Sequence, residues 1–279
     1  MISDFIITFR ETLEAALIVG IILSYLVKTR TEKYNNIVYL GVSFAVIASI
    51  IGAYLSNLLA GGFEGTAEQL FEGITMLIGA FLLTFMIIWM LEQKHIAAEL
   101  HKKVDKEIDE KHRAGLFSLV FISVFREGIE TVIFLRAAAS LENGTSMVGA
   151  LSGILAAVVL GYIIFVIGKK VNLKLFFNAT SAMLILFAAG LTAHSIHEFE
   201  EAGVLPSIIE HVWDINPPVN ADGTYPLLHE RGAIGSIAVG LFGYNGNPSL
   251  LEVISYIAYI LIVAILIRTK RFKEKDPSS

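Results

Sequence analysis

The chain has 279 residues, of which 55% are hydrophobic and 17% charged, and its mean hydropathy is +0.68. It contains no cysteine, which excludes disulfides, thiolate metal sites, Fe–S clusters and a cysteine nucleophile. The formal charge of −5 says less than its distribution, because Lys and Arg are gathered into a few segments between apolar runs.

In chain order, runs long enough to cross a bilayer cover about 2–27, 36–59, 71–91, 115–139, 147–168, 175–196 and 250–267. The expected fold is an all-α integral membrane protein with seven transmembrane helices in a single domain. The first run starts at Met1 without a basic leader region, as a retained helix does and a cleaved signal peptide does not. Basic residues fall at Lys28, Arg30 and Lys33, between Lys94 and Arg113, at Lys169, Lys170 and Lys174, and from Arg268 to Lys275. Segments 60–70 and 140–147 have none, and 197–249 has only Arg231. The positive-inside rule then sets the N-terminus outside and the C-terminus in the cytoplasm.

The first and fourth runs each carry the same charged pentad after a phenylalanine. Arg10-Glu11-Thr12-Leu13-Glu14 follows Phe9, and Arg126-Glu127-Gly128-Ile129-Glu130 follows Phe125. A charge near the middle of a spanning helix costs roughly 2.5–3.5 kcal/mol on insertion scales, so three per helix must face one another, water or an ion. With the N-terminus outside, the two pentads run in opposite directions. That predicts two inverted three-helix repeats, 1–91 and 115–200, joined by a cytoplasmic connector at 92–114. An external loop at 201–249, a seventh helix at 250–267 and a cytoplasmic tail at 268–279 complete the chain. In transporters built this way, the substrate site lies near the midplane where corresponding helices meet.

Residues three and four apart share a helix face, so Glu11 and Glu14 are neighbours and Arg10 can pair with Glu14. Glu127, Glu130 and Arg126 repeat the arrangement. Four converging carboxylates against two guanidinium groups leave a net negative site that attracts a cation. Oxygen ligands suit hard cations such as Ca²⁺, Mg²⁺, Mn²⁺ or Fe³⁺. The bland alternative is that each Arg only neutralises its own helix. Around the outer mouth, Asp4, Glu72, His194, His197, Glu198 and Glu201 are candidates for a metal path, with His194/Glu198 and His197/Glu201 each four apart. Gly149 and Gly153 have the spacing of a close helix contact. The connector, with His95, His101 and His112, reads as a solvated helical extension. Segment 203–249, holding Pro217-Pro218 and Asp222-Gly223, reads as an external cap.

On these residues the chain resembles the oxidase-dependent iron transporter family, the high-affinity iron permeases of fungi and their bacterial relatives. That family carries R-E-x-x-E in its first and fourth helices. Leu83–Met90, His197–Gly203 and the stretch from Leu241-Phe242-Gly243-Tyr244 to Pro248-Ser249 are also similar to its bacterial members. Thr12 departs from the glycine common at that position, which leaves the ligands intact and touches only local packing.

The resemblance implies that Glu11, Glu14, Glu127 and Glu130 bind iron in transit, supported by Arg10 and Arg126. It implies import across a prokaryotic cytoplasmic membrane of Fe³⁺ made by a partner outside the membrane: a ferroxidase, or a peroxidase-like or cupredoxin-like protein. Iron is then substrate, with no resident cofactor and no enzymatic reaction. Membrane lipid and a second copy of the chain are further expected partners; nucleic acid is not. The alternatives are a divalent transporter for Fe²⁺, Mn²⁺ or Pb²⁺, a di-metal redox enzyme and a metal-sensing receptor. The enzyme is disfavoured because di-iron carboxylate helices usually supply Glu-x-x-His pairs, and neither pentad has a His. No nucleotide-binding G-x-x-x-x-G-K-[ST] motif is present, which argues against an ATP-driven pump.

Overall fold

Apolar stretches this long have one way to satisfy their backbone groups in hydrocarbon without closing a barrel, and the computed structural model follows it. The structure describes residues 2–92, 96–109, 113–142, 144–168, 173–220 and 222–275. Among these it is all helical, with α1 at Ile2–Lys28, α2 at Asn35–Ala60, α3 at Thr66–Glu92, α4 at Ile96–Asp109 and α5 at Arg113–Glu142. Then come α6 at Met147–Phe165, α7 at Leu173–Glu201, α8 at Ala233–Phe242 and α9 at Leu250–Lys275. His95, His112, Lys169 and Lys170 lie outside the described residues.

Among the described residues five helices, α2, α3, α6, α7 and α9, are long and apolar enough to cross a membrane. With 27 and 30 residues, α1 and α5 are as long, but the pentads interrupt their apolar stretches. At 1.5 Å per residue, 27 residues reach about 40 Å, beyond a hydrocarbon core of about 30 Å. Large apolar side chains such as Ile50, Tyr54, Phe81, Leu155 and Ile265 point away from the bundle. In a soluble protein such a surface would be a liability.

The long helices pair as α1 with α6, α2 with α5 and α3 with α7, while α1 also crosses α5 and α9 lies on α7. Two apolar clusters lie between them. Ile7, Met76, Leu83, Phe134, Phe187 and Leu191 fill the space among α1, α3, α5 and α7. Ile22, Leu26, Val38, Val120 and Val124 join the far half of α1 to α2 and α5. Gly153 brings α6 against α1: a Cβ there would lie 2.5 Å from Phe5 O and 3.0 Å from Phe9 N. Thr8 clasps the same contact, its hydroxyl 2.9 Å from Ala150 O. Of the Gly149/Gly153 pair, Gly153 is thus used for packing, and Gly149 is buried on the same helix.

The structure differs from the sequence expectation in three places. The connector helix α4 is not simply solvated, for Leu100 and Val104 are buried and Val104 joins the cluster around Ile22 and Leu26. The segment expected as an external cap contains a helix, α8, too short to span and packed against α7, α1 and α5. Finally, α7 continues to Glu201, so His197, Glu198 and Glu201 lie on its last turns. A Schellman motif ends it: Gly203 takes φ of 72°, its N–H reaches Glu200 O at 3.0 Å, and Val204 N–H reaches Phe199 O at 2.9 Å.

Candidate metal centre

Helical spacing puts the pentad charges on one face of α1 and one face of α5, and the crossing of these helices turns the faces together. Glu11, Glu14 and Glu127 each bring a carboxylate oxygen within 4.8 Å of the others. Glu11 and Glu127 are 1% and 2% exposed, which is costly for carboxylates without compensating charge. Arg10 supplies part of it, with Nη1 3.3 Å from Glu11 Oε1 and Nε 3.2 Å from Glu14 Oε1. Arg126 Nε lies 3.1 Å from Glu127 Oε1 and 3.6 Å from Glu130 Oε1. Glu130 stands beside this trio, interacting electrostatically with Glu127 and Glu14.

The guanidinium groups do not saturate the carboxylates. Glu11 Oε2, Glu127 Oε2 and Glu130 Oε2 are buried and have no hydrogen-bond partner. Buried polar atoms are rarely left so, and each orphan asks for an explanation such as an ion or water. Anionic oxygens converging with free lone pairs are what a hard cation requires.

Three supporting contacts lay beyond sequence reasoning. Arg10 Nη2 points at the thioether sulfurs of Met86 and Met90, at 2.7 and 3.0 Å, and Arg126 lies over the Trp89 ring at 5.1 Å. All three come from α3, inside the stretch Leu83–Met90 that carries part of the family resemblance. Met86 and Met90 are four residues apart, and that spacing was the available signal.

The outer candidates separate into three groups. His194, His197, Glu198 and Glu201 line a cavity of about 1030 Å³ beneath the 203–249 segment. His194 Nε2 lies 3.8 Å from Glu198 Oε1, and His197 Nε2 lies 3.1 Å from Glu201 Oε1. Glu72 is instead paired with Arg136 of α5 at 3.5 Å. Asp4 is buried, and its Oδ2 accepts the Ser146 N–H at 3.0 Å, just before α6. The sequence reading left Glu200 out of the candidate metal path and did not consider Glu252; both stand with His197.

Together, these features define a multi-pass helical membrane protein with buried carboxylates at the crossing of two helices. The chain belongs to the iron permease FTR1 family, whose profile matches residues 1–275. It is 34% identical over 265 residues to the ferrous iron permease EfeU of Escherichia coli O6:H1, covering 94% of this chain and 93% of that one. The protein of the same name from Yersinia pestis is 33% identical over 270 residues, covering 95% and 93%. No solved structure matches this fold.

Proposed function

We propose that this protein imports iron across a prokaryotic cytoplasmic membrane by passing the ion through the Glu11, Glu14, Glu127 and Glu130 cluster. The convergence of three carboxylates within 4.8 Å at the α1–α5 crossing, with buried oxygens unpartnered, carries the reading. Arg10 and Arg126 hold the carboxylates in orientation and keep the cluster's charge moderate, so that a cation binds and can also leave.

The reading includes seven spans, α1, α2, α3, α5, α6, α7 and α9, with the N-terminus outside. It also includes two inverted repeats, α1–α3 and α5–α7. The helix pairings support this: exchanging α1 with α5 and α2 with α6 converts the α1–α6 contact into the α5–α2 contact, and both are extensive. An all-oxygen site favours Fe³⁺ made by an oxidase outside the membrane. A second reading, direct passage of Fe²⁺, is favoured by the relatives, which are named ferrous iron permeases.

The test is uptake of radioactive iron into proteoliposomes, offered as Fe²⁺ under reducing conditions or as chelated Fe³⁺. Uptake that a Glu14→Ala/Glu130→Ala variant lacks would establish the permease, and the preferred oxidation state decides between the two readings. Equal uptake by the variant would remove the glutamates from the mechanism.

A further inference from the structure

A second group of metal-ligating side chains is assembled from parts of the chain that the pentads do not touch. His197 and Glu200, near the end of α7, meet Glu252 in the first turn of α9, and one ligand-capable atom of each lies within 4.8 Å of the others. From this we infer that His197, Glu200 and Glu252 form an outer cation site for a divalent transition ion such as Fe²⁺ or Mn²⁺.

Each ligand is held in place by something else. Ser249 and Glu252 form a capping box on α9: Glu252 N–H donates to Ser249 Oγ at 3.2 Å, and Ser249 N–H donates to Glu252 Oε1 at 3.0 Å. Asn245 Nδ2 donates to Glu252 Oε2 at 2.7 Å. Capping alone would account for Glu252 at an exposed helix end, but this carboxylate is 1% exposed and has a histidine against it. Ser249 Oγ also donates to Glu200 Oε2 at 2.6 Å. That leaves Glu200 Oε1 buried with no hydrogen-bond partner, an acceptor the capping box does not use.

The spacing fits coordination as well as hydrogen bonding. His197 Nδ1 lies 3.1 Å from Glu252 Oε1. Two adjacent ligands of an octahedral ion with bonds of about 2.1 Å sit roughly 3.0 Å apart. The other imidazole nitrogen, Nε2, is 3.1 Å from Glu201 Oε1. A carboxylate on the far nitrogen is the usual device that fixes the tautomer and orientation of a metal-bound histidine. His197 and Glu252 both line the cavity of about 1030 Å³, which gives water and ions a way in. One imidazole with two carboxylates suits a borderline divalent cation better than the all-oxygen inner cluster does. Placing this site first on the path of imported iron rests on the permease reading above; its capacity to bind does not.

The experiment is Mn²⁺ binding to the purified full-length protein in detergent, followed by electron paramagnetic resonance. A Glu11→Gln/Glu127→Gln background disables the inner cluster. We expect this background to retain one bound Mn²⁺ with the nitrogen coupling of a histidine ligand. Adding His197→Gln should abolish that coupling and weaken binding at least tenfold. Adding Glu200→Gln instead, whose amide oxygen can still accept from Ser249, should weaken binding at least as clearly while thermal unfolding stays cooperative. No nitrogen-coupled ion in the background, or unchanged affinity in both added variants, overturns the site. Iron uptake by the wild type keeps the two readings apart. A nitrogen-coupled ion without any uptake would sink the permease and leave this site standing. Uptake without such an ion would do the reverse.

Discussion

Arg10 and Arg126 hold equivalent places in the two pentads, yet Arg10 is 0% exposed and Arg126 is 45% exposed. The difference comes from α3, which closes over Arg10 with Met86 and Met90 but offers Arg126 only the face of Trp89. A duplicated motif has therefore become one sealed half and one open half, and the two arginines should answer differently to the same substitution.

Arg10→Lys keeps the charge and loses the planar fork that reaches Glu11 and Glu14 together. A hydrogen bond to a charged group contributes about 1.5–3 kcal/mol, so initial iron uptake in proteoliposomes should fall roughly tenfold or more. Arg126→Lys, at a position that is 45% exposed and not sealed by α3, should lose severalfold less. Equal losses in the two variants would contradict the asymmetry.

Removing a carboxylate should stop transport without unfolding the protein. Glu14→Ala or Glu130→Ala takes one anion from a cluster in which several buried oxygens already lack partners, so the bundle loses little. Iron uptake is expected to drop to the level of empty liposomes, with membrane insertion and the thermal unfolding midpoint near those of wild type. Near-normal uptake in either variant would falsify the transit role.

Gly128, the central residue of the second pentad, has a packing role that Thr12 does not share. A Cβ at Gly128 would sit 1.9 Å from Ser49 Oγ and 2.7 Å from Ser49 Cβ on α2. Overpacking of this kind typically costs about 1–3 kcal/mol. Gly128→Ala should therefore lower the unfolding midpoint by several degrees, and Ser49→Gly in the same chain should restore most of it. Failure of the second change to rescue the first would mean that the strain lies elsewhere.

Much of this arrangement was legible in the residues. Two pentads with the same R-E-x-x-E charge pattern in apolar runs identified α1 and α5 as the helices to watch, since charges are tolerated there only when they converge. The family resemblance read from them is borne out across residues 1–275. Helix ends were less legible. Polar Glu68 and Gln69 hid the first turn of α3, which starts at Thr66, because hydropathy sees apolar surface and not hydrogen bonding. The ten-residue, glycine-rich α8 was invisible for the opposite reason, being apolar but too short to read as a span. Glu252 could not be found by spacing, because it meets His197 only through the docking of α9 on α7, whereas Glu200 lies three residues after His197 on the same helix and was open to that reading. The S-x-x-E pattern of Ser249 and Glu252 does mark the start of α9, and it points to a cap rather than to a histidine.

The contact between α6 and α1 sits one turn before the first pentad and should control it. Gly153 leaves room for Phe5 O and Phe9 N, and a Cβ there would also come 2.2 Å from Thr8 Oγ1. In Gly153→Ala the two backbones must separate by a few tenths of an ångström or more, because a carbonyl cannot rotate aside as a side chain can. That shift should displace Phe9 and, through it, Arg10, which contacts Met86 and Met90 and pairs with Glu11 and Glu14. Iron uptake should fall severalfold further than the loss of folded protein explains. Gly61→Ala, where the nearest atom to the new Cβ is 3.6 Å away, should leave both uptake and stability within error of wild type. If Gly153→Ala lowers stability but leaves the uptake rate per folded molecule unchanged, the α1–α6 contact supports the fold and has no hold on the pentad.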